Sequence, residues 1–225
     1  MSPRPRRTPD SAILQAAAKV VSRLGPERFT LADVGEEVGL SAATLVQRFG
    51  SKRLLQLAML EQMVSMVNGK FAAAIASGQS PLETLYAAAL DRADPTHTPD
   101  NVANGFAFLL LEINDPDFHA IAVASATQAI AAYKTMLDNA IEVGELADAG
   151  IDTHEMAETI HSMTLGSLTM WVILRDGAPR PRTKRDLDTI LRPYRRAAGK
   201  STAAHENGTN ATGPKSATPA PANAI

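Results

Sequence analysis

No cysteine occurs among the 225 residues, so a disulfide framework, a thiolate metal or redox site and a cysteine nucleophile are all excluded. That usage fits a reducing compartment. Long apolar runs are missing as well. The N-terminus carries charge without an apolar h-region, and the longest apolar stretches, such as AFLLLEI at 107–113, fall far short of the ~18 residues a membrane span needs. The chain is therefore expected to be soluble, cytoplasmic and not exported, with no membrane partner. Strict apolar–polar alternation is also absent, which leaves an all-α reading of the folded part. No G-x-S-x-G, Walker-type, G-x-G-x-x-G or H-E-x-x-H motif is present, so no catalytic residue, cofactor or enzymatic activity is expected. A helical enzyme with an unrecognised Asp/Glu–His site remains the competing class.

Charge is small in sum and uneven in placement. The formal net charge is −2, yet residues 1–53 hold nine Lys/Arg against five Asp/Glu, and residues 54–198 hold eleven against eighteen. A basic head on an acidic body is the asymmetry expected when one end meets a polyanion. An architectural DNA binder would want basic charge throughout, and the acidic body disfavours it.

Punctuation divides the chain. Thr8-Pro9-Asp10 reads as an N-cap with proline at the first helical position, and Ile13, Leu14, Ala17, Val20, Val21 and Leu24 recur at helical spacing until Gly25-Pro26. Thr30 with Asp33 reads as a capping box, and Ser41, Ser51, Ser80-Pro81, Asp115-Pro116 and Asp152-Thr153 open further helices. DPTHTPD at 94–100, NDPD at 114–117 and DGAPRPRT at 176–183 read as connections. After Ala198 the composition turns small, polar and proline-bearing, and residues 199–225 are expected to form a disordered tail.

Residues 30–49, TLADVGEEVGLSAATLVQRF, make two helical phrases too short to be stable alone. The first helix supplies an apolar stripe for Leu31, Val34, Val38, Leu45 and Phe49, and Gly39-Leu40-Ser41 joins the pair: a helix-turn-helix. Ala42, Ala43, Thr44, Val46, Gln47 and Arg48 then face outward, and such a rod fits a major groove. Thr30 and Ser41 stand at helix N-termini where an anion is favoured, and Lys52 follows the recognition helix. Arg4, Arg6 and Arg7 form a basic arm suited to the DNA backbone or a minor groove.

The residues Ile13, Ala16, Ala17, Gly25, Thr30-Leu31-x-x-Val34, Val38-Gly39-Leu40-Ser41-x-x-Thr44-Leu45, Phe49 and Ser51-Lys52-x-x-Leu55 together resemble the N-terminal domain of TetR-type (TetR/AcrR-like) regulators. The resemblance implies a DNA-binding domain at 7–67, a ligand-binding and dimerisation domain at 68–198, a homodimer, a palindromic double-stranded operator and repression relieved by a small-molecule effector. A ligand-independent DNA-binding protein is the alternative. Three positions depart from the family pattern. Val46 stands where a phosphate-contacting tyrosine is usual, Arg48 where histidine is frequent, and Gly35 where alanine is common. With Ala42 and Ala43 leading the base-facing positions, apolar contact with thymine methyls is expected.

In the acidic body the candidates are broader. Met63 and Met66 suit an adaptable pocket, and Phe106, Glu112, Tyr133 and Trp171 complete the ligand-site candidates. Ser162 and Gly166 permit close backbone approach, and with Met170, Leu187 and Leu191 they are the candidates for a four-helix dimer interface. His154, Glu158 and His161 share a helical face, but no second cluster completes a coordination sphere, so no metal is expected.

Overall fold

The computed structural model describes residues 8–195. The arm residues Arg4, Arg6 and Arg7 and the segment 199–225 lie outside the described residues, as does the side chain of Glu112. Among those described, nine α-helices follow in order: α1 (Asp10–Leu24), α2 (Leu31–Val38), α3 (Ala42–Phe49), α4 (Lys52–Ala76), α5 (Pro81–Asp91), α6 (Pro99–Asn114), α7 (Pro116–Glu142), α8 (Thr153–Leu174) and α9 (Pro179–Leu191), with a 3-10 turn at Arg192–Tyr194. No strand occurs among the described residues; one isolated antiparallel bridge pairs Leu146 with Arg195.

Most helix starts are set by side-chain caps. Thr30, Ser41, Ser51, Ser80, Thr98, Asp115 and Asp152 each accept a backbone N–H from the first turn of the helix they precede, an arrangement whose loss costs about 1 kcal/mol per cap. Three starts differ from the expected ones. α1 opens at Asp10 with Pro9 in the cap position and no side-chain cap, so Thr8 does not serve as its N-cap. α6 and α9 open on Pro99 and Pro179, inside stretches expected to be connections. Proline at the first helical position gives up an N–H that would have had no intrahelical partner. At the other end α9 stops at Leu191, and Pro193 sits in the 3-10 turn that follows, as its missing N–H requires.

Two apolar cores result. The first joins Ile13, Ala17 and Val20 of α1, Phe29, Val34 of α2, Leu45 of α3 and Leu55 and Met59 of α4, and it also takes in Phe108 of α6 and Phe118 of α7. The second joins Leu85, Tyr133, Met136, Leu137, Leu146, Ile160, Leu187 and Leu191. α4 serves both, with Leu55 and Met59 in the first and Phe71 and Ile75 against the second, and it runs unbroken across position 67.

Polar clamps tie α6 and α7 to the first core. Asn104 Nδ2 donates to the Ser22 and Arg23 carbonyls at 2.8 and 3.1 Å, and Asn101 Nδ2 donates to Ser22 O at 3.1 Å. These carbonyls belong to the last turn of α1, which has no intrahelical donors for them. At the far end of α6, Arg53 donates to both oxygens of Asp115 and to Asp117 at 2.7–3.1 Å. Arg53 holds the Asp115 carboxyl below its ordinary range, although such an exposed pair adds little stability by itself.

Candidate nucleic-acid interface

The helix-turn-helix is assembled from α2, a tight turn and α3. Thr30 and Asp33 close a reciprocal capping box: Thr30 N and Oγ1 donate to Asp33 Oδ2 at 2.6 and 2.7 Å, and Asp33 N donates back to Thr30 Oγ1. These bonds, first among them that from the Thr30 hydroxyl, lower the Asp33 pKa. α2 ends at Gly39, whose φ of 68° lies in the left-handed region that glycine tolerates, and Leu40 N donates to Gly35 O at 2.8 Å. The chain passes so close that a Cβ on Gly35 would stand 2.4 Å from the Leu40 carbonyl oxygen. The helix propensity that Gly35 gives up is therefore a condition of this turn.

α3 buries Leu45 completely and Phe49 in part. On its other side Ala43, Val46 and Gln47 are exposed, while Ala42 and Thr44 are half-buried. Ser41 Oγ accepts the Thr44 N–H at 3.2 Å and pairs with the Thr44 hydroxyl at 2.9 Å. The outward side of α3 is thus largely small and apolar, with Gln47 as its exposed amide.

Two of the expected phosphate contacts, Arg48 and Lys52, are engaged within the fold. Arg48 points back toward the start of α1: Nη1 donates to the Thr8 carbonyl at 2.7 Å, Nη2 to the Asp10 carboxylate, and only 14% of the side chain is accessible. Lys52 donates to the Glu27 carbonyl at 2.7 Å and lies 4.4 Å from the centre of the Phe29 ring; desolvation lowers its pKa. Arg53 is held by Asp115 and Asp117, and Arg28 donates to Leu24 O. Spacing placed Arg48 on the outward side of α3, and only the path of α1 forty residues earlier shows that it has a partner there.

The body candidates also separate. Leu187 and Leu191 are fully buried in the second core, so they are unavailable to a partner chain in this conformation, because α9 uses that side against its own chain. Ser162, Gly166 and Met170 are exposed along one side of α8, continued by Ile173. Tyr133 and Trp171 are core residues. Burial pushes the Tyr133 hydroxyl up to about 12, and the Trp171 indole donates to Gly177 O at 3.1 Å. Met63 and Met66 are exposed and Phe106 is half-buried. A separate open groove of about 460 Å³ between α4 and α7 is lined by Glu61, Val64, Ser65, Asn68, Ala120, Ile121 and Ala124, where the Asn68 amide meets Gln128. Sequence reading missed this groove, since its walls come from two helices about sixty residues apart and form no motif. His154 Nε2 lies 3.6 Å from Glu158, and no group of three metal-binding side chains converges among the described residues. No described helix is long and apolar enough to cross a membrane.

Comparison with known proteins agrees with this geometry. Residues 13–59 match the family model described as bacterial regulatory proteins, tetR family. The HTH-type transcriptional regulator BetI of Agrobacterium fabrum is 24% identical over 172 residues, covering 73% of this chain and 84% of BetI. Among solved structures, the TetR transcription regulator from Haloarcula marismortui matches with a TM-score of 0.69 at 16% identity, over 83% of this chain and 98% of its own. FadR from Bacillus subtilis, solved with stearoyl-CoA, matches with a TM-score of 0.60 at 14% identity, over 80% of this chain and 96% of its own. At these identities the structural matches speak for the fold.

Proposed function

We propose, from the premise that this chain is a TetR-type helix-turn-helix transcriptional regulator, that it acts in the cytoplasm as a homodimeric repressor released from a palindromic operator by a small molecule. The observation that carries this reading is the outer side of α3, where Ala43, Val46 and Gln47 stand exposed beside the capped N-terminus at Ser41. Ala42 and Ala43 would meet thymine methyls, Gln47 would reach base edges, and Thr30, Ser41 and Thr44 would face phosphates. Residues 7–67 form the DNA-binding unit in this proposal, and 68–198 bind the effector and pair the two copies. The exposed Ser162, Gly166 and Met170 on α8 lie at the subunit contact. The α4–α7 groove receives the effector, because α4 leads directly into the head and a shift there would move the two recognition helices off successive major-groove faces. No catalytic residue takes part.

The test is selection of bound duplexes from a random-sequence pool by the full chain, followed by sizing of the complex and titration with fractionated cell metabolites. A dimer on a two-fold symmetric site, displaced by one fraction, is the expected result. A monomer that retains no duplex even at low salt overturns the proposal.

A further inference from the structure

The groove between α4 and α7 lies between two polar crosslinks. At its head end Arg53 of α4 binds Asp115 and Asp117 at the start of α7, and at its other end the Asn68 amide meets Gln128. Between them Glu61, Val64 and Ser65 line the α4 side, and Ala120, Ile121 and Ala124 the α7 side. At the rise of an α-helix, the step from Glu61 to Asn68 spans about 10 Å. A carboxylate therefore stands toward one end, an amide pair closes the other, and apolar side chains lie between them.

Charge narrows what the groove can hold. Glu61 is the sole ionisable side chain from Leu54 to Gly69 of α4, and His119 is the sole one from Phe118 to Ala132 of α7. His119 does not line the groove. The cations of the two helices are already engaged: Lys52 by the Glu27 carbonyl, Arg53 by Asp115 and Asp117, Lys70 by Asp91 and Lys134 by Asp138. Among the described residues Glu61 has no ion-pair partner. A volume of about 460 Å³ lies in the range of small-molecule sites.

We infer that this groove takes an organic cation, a protonated amine or quaternary ammonium seated against Glu61 with its apolar body along Val64, Ala120, Ile121 and Ala124. The inference rests on the reading above that the groove receives the effector, and it names that effector's chemical class. An anion would meet Glu61 as a like charge with no lining cation to offset it. A neutral apolar molecule would leave the carboxylate without a partner. Ser65 and the Asn68–Gln128 pair offer hydrogen bonds to a polar group at the far end.

The test compares hexylammonium, hexanoate and hexanol, which share one alkyl chain and differ in head charge, on the full-length protein at neutral pH. Binding is followed by the methyl NMR shifts of Val64, Ala120, Ile121 and Ala124, and each compound is also added to the complex with a selected operator duplex. Hexylammonium binds about tenfold more tightly than hexanoate, since an exposed carboxylate attracts one head and repels the other, and the margin shrinks at high salt. Glu61→Gln brings the two within about twofold, and Glu61→Lys reverses their order. Ala124→Leu, which fills part of the α7 wall, weakens binding of all three.

Equal affinities for the three compounds, tighter binding of hexanoate, or a margin that survives in Glu61→Gln and Glu61→Lys would overturn the assignment. So would the absence of groove shifts with every compound, or shifts confined to methyls elsewhere in the body. Release of the operator by hexylammonium from the parent and not from Glu61→Gln supports the cation class and the effector reading together. Hexylammonium bound in the groove with the operator retained keeps the cation assignment and removes the effector role. A chain that retains no duplex fails the DNA-binding reading, while the NMR comparison still decides the cation.

Discussion

The two cores of this molecule are built by different means. The first takes most of its side chains from α1 to α4, a stretch of about fifty residues closed by three capped starts and three glycine turns. The second is drawn from α5, α7, α8 and α9, so that Leu85 packs with Leu191 from the far end of the folded chain. In a local core, the spacing of apolar residues settles both the helices and the sides they bury. In a core of distant partners it settles the helices only. The head accordingly leaves one short helix side exposed, while the body hides residues whose spacing would suit an interface.

A matched pair of cavities tests whether that difference extends to stability. Leu45 and Leu187 are both fully buried, one in each core, and truncating either to alanine should cost about 2–5 kcal/mol. Trp171, the only tryptophan, lies in the body and reports on it selectively. In urea, Leu187→Ala should lower the fluorescence midpoint, whereas Leu45→Ala should lower the circular-dichroism midpoint more than the fluorescence one and abolish DNA binding first. Equal shifts of both signals in both variants would mean that α4, Phe108 and Phe118 weld the cores into one cooperative unit, and the contrast would collapse.

A smaller effect with a counterintuitive sign is expected within the head. By helix propensity, Gly35→Ala should stabilise α2 by about 1 kcal/mol. A methyl group 2.4 Å from the Leu40 carbonyl must instead push the turn apart, and crowding of this kind costs about 1–3 kcal/mol. The net result should be destabilisation, and because the turn sets the tilt of α3, operator affinity should fall further than global stability. A thermal melt at or above the parent's would show that the turn yields freely and that its close approach is not required.

Legibility followed the same division. Thr30, Ser41, Ser51, Ser80, Asp115 and Asp152 were readable as helix starts, because a cap is a contact within three residues. The helix-turn-helix was readable because Leu45 and Phe49 recur against α1 at fixed spacing. The bonds from Arg48 to Thr8 and Asp10 were not legible, since both partners lie about forty positions away in the chain. Leu187 and Leu191 were readable as apolar and expected at a subunit contact, whereas the second core buries them, because in Ala-rich helices nearly every side offers a plausible stripe. The α4–α7 groove mixes Glu61, Ser65 and Asn68 with Val64, Ile121 and two alanines, a set that forms no motif in the sequence.

The smallest expected effect isolates the body by pH. His161 on α8 is half-buried, and its pKa is lowered from the ordinary 6.5, chiefly by burial and secondarily by the nearby Arg92 charge. A group whose folded-state pKa is depressed binds fewer protons in the folded state than in the unfolded one over the interval between the two values, so stability rises with pH there. Its contribution is complete above about 6.5, the unfolded value, and is lost as the pH falls through the lower folded one. The Trp171-reported transition of the parent should therefore weaken as the pH falls below neutral, and His161→Gln, which cannot charge, should flatten that limb. Signals from the head should keep their pH dependence in the variant. If His161→Gln retains the parental slope in the body, the imidazole is hydrated despite its position on α8, and the second core is looser there than its neighbours Ile160 and Thr164 imply.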